Sequence, residues 1–207
     1  IIKKKKNRLG GKIGMYEMKF WQTWEIDTYE EIDLIEYLLK KHVIYEDKIK
    51  IKKENLDLIA FDFDGVLTDN KVLVNQNGEE SVFANRSDGL AINILNRIGI
   101  PVIVISTEKN SVVRRRCEKM GVKCYNGVGN KLDVLKKYCD DNKFSLNKLM
   151  FVGNDLNDKE VMLNVGYPVC PYDANPSIID ISAIRLNTIG GSGVALELCK
   201  LLGVENK

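Results

Sequence analysis

The segment 58–69, LIAFDFDGVLTD, constrains this chain more than any other. Its apolar run ends in two acids two residues apart, Asp62 and Asp64, followed by Gly65. Carboxylates at the end of a buried strand are costly unless a cation offsets their charge, and a divalent metal ion is the usual remedy. The alternative for this segment alone is an ordinary strand-to-turn junction, where Asp and Gly are common.

The composition indicates a globular protein and gives no sign of a nucleic-acid or membrane partner. Of the 207 residues, 44% are hydrophobic and 29% are charged, and the net charge is only +2. The basic run at 3–6 is typical of a solvated chain end. No apolar stretch approaches the roughly 18 residues that span a bilayer.

The cysteines and the single histidine limit the chemistry that this chain can use. Cysteines occur singly, without a C-x-x-C pair, which is typical of small apolar fillers in a reducing compartment. We therefore expect a cytoplasmic protein. His42 is the only histidine, so a zinc site or a histidine-activated nucleophile is not expected. The chemistry must then use carboxylates, lysines and a hard metal ion.

The chain reads as two unequal parts. Residues 1–47 contain one short strand and a helix that Thr28 is expected to cap, too little to form a core alone. We expect a linker at 48–55 and a main domain at 56–207. There, apolar runs alternate with amphipathic stretches, and Asn77-Gly78 marks a β-hairpin. This rhythm predicts an α/β fold: a Rossmann-like open parallel sheet with helices on both faces.

Polar residues follow several of the predicted strands. The first strand gives Asp62 and Asp64, and the strand at 101–106 ends in Ser106 and Thr107. Lys131 begins a helix after a glycine loop, and the strand at 149–152 is followed by GNDLND at 153–158. Each signal alone is also compatible with a turn, a cap or an exposed charge. Parallel strands bring these ends to one edge of the sheet, where such folds bind ligands.

Together these residues fit phosphoryl transfer through an aspartyl-phosphate. Asp62 would attack phosphorus, and Asp64 would protonate the leaving oxygen and then activate water. Ser106 would hold phosphate oxygens, and Lys131 would offset the negative charge. A Mg²⁺ ion is expected as the cofactor. Its predicted ligands come from Asp62, Asp64, Asn154, Asp155 and Asp158.

The motifs FDFDGVLTDN, KVLVNQNGEESVF, NRSDGLAI, STEKN, GVGNKL, VGNDLND and GGSG resemble the haloacid dehalogenase superfamily of phosphatases. They are most similar to the branch that hydrolyses 3-deoxy-octulosonate 8-phosphate and nonulosonate 9-phosphates. The resemblance implies a fold without a large cap domain, and a homotetramer in which the hairpin of a neighbour closes each site. It also implies a set of contacts to the sugar acid, for which the candidates are Arg86, Asp88, Thr107, Glu108 and Lys109.

The first part resembles the tail of an acylneuraminate cytidylyltransferase, in the stretch GGKIGMYEMKFWQTWEIDTYEEIDLIEYLLKKH. Glu25 and Asp27 fall where that family places acidic metal ligands. The resemblance implies that the chain is the C-terminal piece of a fusion between the transferase and the phosphatase. The nucleotide loop expected near the start of the transferase is absent, so these residues are not expected to transfer cytidylyl groups alone.

Two departures from the phosphatase pattern support a rival hypothesis. Asn154 stands where many members of this branch carry an acid, and Ser192 and Leu196 replace arginines of the tail. The rival is a non-catalytic tetramerisation domain of a cytidylyltransferase. The presence of both Asp62 and Asp64 favours an active phosphatase acting on a sialic-acid-type or octulosonate phosphate. A phosphatase of broad small sugar phosphates differs only in its substrate.

Overall fold

A computed structural model describes residues 17–18, 23, 27–39, 51 and 53–204. The chain divides into two compact units, 1–47 and 48–207. The segment 48–55, predicted as a linker, thus falls in the second unit, where Ile51 is buried in the core and Lys53–Asn55 form a short 3-10 turn. Glu25 lies outside the described residues.

The described part of the first unit is helix α1, Glu30–Leu39. Its first turn is closed by the Glu31 carboxylate, which accepts hydrogen bonds from the amides of Asp27, at 2.7 Å, and Thr28, at 2.9 Å. Tyr29 and Tyr37 are among the exposed large side chains of this segment.

A parallel six-stranded sheet forms the centre of the second unit. Its order is β5-β4-β1-β6-β7-β8, and each neighbouring pair is parallel. The strands are β1 (Leu58–Phe61), β4 (Val102–Ile105), β5 (Lys123–Tyr125), β6 (Leu149–Val152), β7 (Tyr167–Cys170) and β8 (Ile184–Arg185). The three central strands are buried along their whole length, as their continuous apolar sequence predicts.

Helices cover both faces of the sheet. They are α2 (Arg86–Arg97), α3 (Ser111–Met120), α4 (Lys131–Asn142), α5 (Lys159–Met162), α6 (Pro176–Ile179) and α7 (Val194–Leu201). Alternate strand residues enter two separate apolar clusters, so that Ile59 and Phe61 pack on one face while Leu58 and Ala60 pack on the other. The predicted Rossmann-like fold is confirmed.

Polar side chains and glycines define the ends of the helices. Asn85 caps α2, because its side chain accepts a hydrogen bond from the Ser87 amide at 2.9 Å. Gly121 follows α3, where it adopts a left-handed conformation with φ of 67° and closes the last turn.

A two-stranded hairpin is the insertion between β1 and α2, where a cap domain would stand. Strands β2 (Leu73–Val74) and β3 (Glu80–Ser81) pair antiparallel. The hairpin predicted at Asn77-Gly78 is present, and its turn holds three residues, because the Asn75 amide donates to the Glu79 carbonyl and Gly78 takes a positive φ. No helix in the described ranges is long and apolar enough to cross a membrane.

Candidate active site

Three adjacent strands deliver polar residues to one edge of the sheet. Asp62 follows β1, Ser106 follows β4, and Asn154 lies two residues beyond β6. Because β4, β1 and β6 are neighbours and run parallel, their carboxyl ends meet, as the sequence predicts. The pocket at this edge has a volume of about 80 Å³ and is lined by Asp62, Asp64, Asn70, Ser106, Thr107, Asn154, Asp155 and Asn157.

A buried ion cluster lies beneath this pocket. Lys131 Nζ lies 2.6 Å from Asp62 Oδ1 and 2.6 Å from Asp158 Oδ1. The exposed fractions are 2% for Asp62, 3% for Lys131 and 0% for Asp158. Lys131 reaches this position as the first residue of α4, which Asn130 caps by accepting from the Leu132 and Asp133 amides.

Among the described residues, the charges of this cluster do not balance. Burial and the nearby Asp158 carboxylate raise the pKa of Asp62 to about 7, against the opposing effect of Lys131. Burial alone would lower the pKa of Lys131, but the two carboxylates raise it above its ordinary value. One lysine cation therefore faces two carboxylates, and a second cation beside Asp62 would favour its ionised form.

Asp158 holds the loop after β6 in place. Its Oδ2 accepts hydrogen bonds from the amides of Asn154, at 2.9 Å, and Asp155, at 3.3 Å. A side chain on Gly153 would collide with Asp158, since a Cβ there would lie 2.6 Å from the Asp158 Cβ. Both Asp158 oxygens thus have partners within the chain. Asp158 was predicted as a metal ligand, but it lies behind Lys131 and is not among the residues that line the pocket.

Asp64 is positioned by a residue that the sequence analysis did not select. The buried Thr68 hydroxyl donates to Asp64 Oδ1 at 3.4 Å. The Thr68 hydroxyl oxygen itself accepts from the Gly65 amide at 3.2 Å and from the Asn70 amide at 3.4 Å, which fixes the turn after β1. Burial raises the pKa of Asp64, and the Glu108 carboxylate raises it further. The sequence signal for this role was the spacing, because the hydroxyl of a threonine four residues after an aspartate can donate to the aspartate side chain.

Ser106 is held rigidly at the end of β4. Its amide donates to the Tyr125 carbonyl at 2.8 Å, and its carbonyl accepts from the Val128 amide at 3.1 Å. The side-chain oxygen accepts from the Glu108 amide at 3.1 Å, so its own proton is available to a ligand in the pocket. Asn157 donates to the Thr107 hydroxyl at 3.4 Å across the mouth of the pocket.

The donor atoms at this pocket fit a hard metal ion. Among the described residues, no group of three His, Cys, Asp or Glu side chains is arranged to hold a metal. The pocket instead combines the Asp62 and Asp64 carboxylates with the neutral Asn154 amide. Asn154 is nearly buried, and its Oδ1 has no hydrogen-bond partner in the described part of the chain. Carboxylate and amide oxygens are ligands that suit Mg²⁺.

The predicted sugar-acid contacts are not all at the pocket. Thr107 lines it, and Glu108 lies close enough to raise the pKa of Asp64. Arg86 and Lys109 are exposed and are not among the lining residues. Asp88 is buried between helices instead, where its Oδ1 accepts from the Ala195 amide at 2.8 Å and so holds the start of α7.

The GGSG turn before α7 packs directly on the turn after β1. The Gly191 amide donates to the Val66 carbonyl at 3.0 Å. A Cβ on Gly191 would lie 2.5 Å from the Asp69 nitrogen, so only glycine allows this approach. Ser192 and Leu196, which replace the expected tail arginines, line a separate cavity of about 300 Å³.

Comparison with known proteins agrees with this geometry. Residues 106–198 match the haloacid dehalogenase-like hydrolase family. The chain is 34% identical over 155 residues to the 3-deoxy-D-manno-octulosonate 8-phosphate phosphatase KdsC of Salmonella typhi, covering 74% of this chain and 82% of that protein.

Two solved structures of proteins with the same name are also similar. The Yersinia pestis phosphatase aligns with a TM-score of 0.72 at 26% identity, covering 80% of this chain and 88% of that one. The Moraxella catarrhalis phosphatase, in complex with a magnesium ion, a phosphate ion and a KDO molecule, aligns with a TM-score of 0.70 at 26% identity, covering 79% and 92%. The chain therefore belongs to the haloacid dehalogenase-like hydrolases and is a phosphatase.

Proposed function

We propose that this chain hydrolyses the phosphomonoester of a sugar acid through an aspartyl-phosphate on Asp62. The observation that carries the proposal is the buried contact of Lys131 with Asp62 and Asp158 beneath the pocket. An ion pair on the surface would not need to be buried. Burying a charge without a partner is costly, so this buried cluster calls for a functional reason. Perturbed carboxylates that are held in a cleft are typical of catalytic sites.

Asp62 is the nucleophile in this proposal. Its Oδ1 lies against Lys131, which holds the carboxylate in one orientation at the floor of the pocket. The carboxylate attacks phosphorus, and the ester oxygen leaves. Lys131 offsets the negative charge at the nucleophile, and the Ser106 hydroxyl donates to a phosphoryl oxygen.

Asp64 is the acid and then the base. In its protonated form it gives a proton to the leaving alkoxide, and the resulting carboxylate later takes a proton from the water that attacks the aspartyl-phosphate. Burial and Glu108 raise the pKa of Asp64, which increases the protonated fraction that the first step needs. Thr68 fixes the orientation of this carboxyl group.

We propose Mg²⁺ as the cofactor, with Asp62 and Asn154 as its principal protein ligands and Asp64 and Asp155 beside them in the pocket lining. When bound there, the ion would offset negative charge on the phosphoryl group and on Asp62. The unpartnered Asn154 oxygen supports this assignment.

The proposed substrate class is supported by the relatives and by the resemblance of the N-terminal part. The named relatives act on 3-deoxy-D-manno-octulosonate 8-phosphate. The resemblance of residues 1–47 to a cytidylyltransferase tail favours a nonulosonate 9-phosphate of the sialic-acid type, in nucleotide-sugar biosynthesis. Asn70, Thr107 and Asn157 at the pocket mouth offer polar groups that suit a polyhydroxylated substrate.

An assembly role is the second candidate, and the hairpin favours it. Leu73 is 65% exposed and Phe83 is 76% exposed, with Val72 and Val74 also exposed beside them. Contiguous exposed apolar side chains mark interaction sites. We propose that this surface joins copies of the chain in a homotetramer. A module with only this role would need the fold and the hairpin but not the buried ion cluster.

A phosphate-release assay with Mg²⁺ on both sugar-acid phosphates tests the proposal. We expect turnover of one or both, its loss on chelation of the metal, and its loss in Asp62→Asn but not in the exposed control Asp140→Asn. A folded tetramer without turnover on either substrate would favour the assembly role. Hydrolysis of many unrelated sugar phosphates at equal rates would contradict the sugar-acid assignment.

A further inference from the structure

Asp88 is a buried acid that does not line the pocket but binds across the fold. It lies in the first turn of α2 and is 2% exposed. Its Oδ1 accepts a hydrogen bond from the Ala195 amide, at 2.8 Å, in the first turn of α7. The residue before α7 is Gly193, the last of the GGSG turn, which has no side chain to cap the helix. Asp88 therefore supplies from α2 the acceptor that a capping side chain normally supplies.

The GGSG turn connects this cap to the turn at 64–69, which we call the Asp64 turn. The Gly191 amide donates to the Val66 carbonyl at 3.0 Å. A Cβ on Gly190 would lie 2.3 Å from the Gly65 carbonyl oxygen, so the two turns touch backbone against backbone. A displacement of the start of α7 is therefore transmitted to the Asp64 turn.

The Asp64 turn leaves little free space around the acid that it carries. A Cβ on Gly65 would lie 2.0 Å from Asn154 Nδ2, so this residue packs on Asn154 as well as on the GGSG turn. Thr68 belongs to the same turn: its hydroxyl donates to Asp64 Oδ1 at 3.4 Å and accepts from the Gly65 amide at 3.2 Å. The orientation of Asp64 thus depends on the GGSG turn staying in place.

We propose that Asp88 is a positioning residue for the phosphatase reaction: its carboxylate fixes the start of α7, and the GGSG turn then holds the Asp64 turn. This role rests on the proposed function of Asp64 as acid and base. A proton passes efficiently only when the donor lies within hydrogen-bond reach of the acceptor. A small displacement of the Asp64 turn therefore slows proton transfer to the leaving oxygen and from the attacking water.

Two substitutions of Asp88 separate the hydrogen bond from the charge. Asp88→Ala removes the acceptor for the Ala195 amide. Asp88→Asn keeps one acceptor oxygen, and its NH2 group replaces Oδ2, which has no hydrogen-bond partner in the described part of the chain. Cys199→Ala is the matched control. The Cys199 thiol donates to the Ala91 carbonyl at 3.5 Å between the same two helices, but it lies one turn further from the GGSG turn.

Amide hydrogen exchange in the full chain tests the contact without using catalytic activity. In Asp88→Ala we expect the Gly191 amide to exchange at least about tenfold faster than in the wild type. In Asp88→Asn and in Cys199→Ala its rate should stay within about twofold of the wild-type rate. Unchanged exchange in Asp88→Ala, or the same acceleration in either of the other two variants, would overturn the proposal. If Asp88→Ala does not fold, Asp88→Ser takes its place, because its shorter side chain withdraws the acceptor from the Ala195 amide.

Kinetics with two leaving groups tests the link to Asp64. On the sugar-acid phosphate, Asp88→Ala should lower kcat by roughly tenfold or more and leave KM within about twofold. An activated aryl alcohol leaves without a proton, so its release in the first turnover should keep the wild-type rate within about twofold. The phosphorylated enzyme should then accumulate, because attack by water still needs Asp64 as the base.

The outcomes distinguish this role from the proposed function itself. An unchanged kcat, a change in KM alone, or an equal loss in the first turnover of both substrates would overturn the positioning role of Asp88. If the wild type hydrolyses neither substrate, the proposed function fails, and hydrogen exchange at Gly191 still decides whether Asp88 holds the two turns together.

Discussion

The carboxyl edge of the sheet and the hairpin are built in opposite ways. At the sheet edge, charged groups are buried and held by partners within the chain, as in the contacts of Lys131 with Asp62 and Asp158. In the hairpin, apolar side chains such as Leu73 and Phe83 are exposed. Both regions depart from the usual pattern, in which charged side chains are exposed and large apolar side chains are buried.

This contrast separates two parts of the proposed function. The chemical groups lie in one chain, after three neighbouring strands and at the start of α4, so the site needs no second subunit to position them. The pocket must also be closed against water. A cap domain can cover its own site, but this hairpin is too small to do so. The exposed apolar surface of the hairpin suits a partner copy that completes the enclosure.

Asp62→Asn should give the largest effect and tests whether the sheet edge is catalytic. The amide cannot form the aspartyl-phosphate, so we expect phosphate release to fall by roughly a thousandfold or more. Release of phosphate by the variant is measured against Asp140→Asn, which removes a carboxylate from the exposed face of α4. If the variant keeps most of its activity, Asp62 is not the nucleophile. That result would leave the proposal for the hairpin unchanged.

Asp158→Asn tests whether Asp158 stabilises Lys131 and the loop after β6. The substitution replaces one carboxylate oxygen with an NH2 group, which cannot accept, so either the contact with Lys131 or the bonds from the Asn154 and Asp155 amides are lost. We expect a loss of about 2 kcal/mol in the free energy of unfolding and roughly a hundredfold loss of turnover. Urea unfolding and kinetics are compared with Asp180→Asn on the surface. Lower affinity for Mg²⁺ with unchanged stability would instead make Asp158 a metal ligand.

Leu73→Lys tests the hairpin. Because the side chain is exposed, we expect the unfolding free energy to change by less than about 0.5 kcal/mol, while the tetramer dissociates in sedimentation experiments. Turnover should fall by roughly tenfold, since the pocket loses its enclosure but keeps its chemistry. Lys71→Leu, at another exposed position of the insertion, is the control. An intact tetramer in Leu73→Lys would place the subunit interface elsewhere.

Glu108→Gln should give the smallest effect, a displacement of the pH profile. The Glu108 carboxylate raises the pKa of Asp64, so its removal lowers that pKa. The acid form of Asp64 exists below its pKa, and the alkaline limb of turnover should therefore move to lower pH. Glu80→Gln should act in the same direction more weakly, and Glu118→Gln not at all. A limb that moves to higher pH would contradict the role of Asp64 as the acid.

The sequence predicted those features that depend on local pattern. Continuous apolar runs predicted the buried strands, and the parallel order followed from alternation with helices, so Asp62, Ser106 and Asn154 could be expected at one edge. The functions of Asp88 and Asp158 depend on contacts across the fold, with Ala195 and Lys131 respectively. No local pattern reveals such contacts, which is why a buried helix-capping acid was interpreted as a substrate contact.

Trapping of the phosphorylated enzyme tests the central claim most directly. In Asp64→Asn, the acid and base are lost, and an activated aryl phosphate that leaves without a proton should phosphorylate Asp62 faster than water removes the phosphate. After acid quench, the intact chain should gain about 80 Da, and peptic digestion at low pH should locate the added mass on Asp62. Turnover by the wild type together with an added phosphate on another residue, or with none on Asp62 in the trapped variant, would contradict the account.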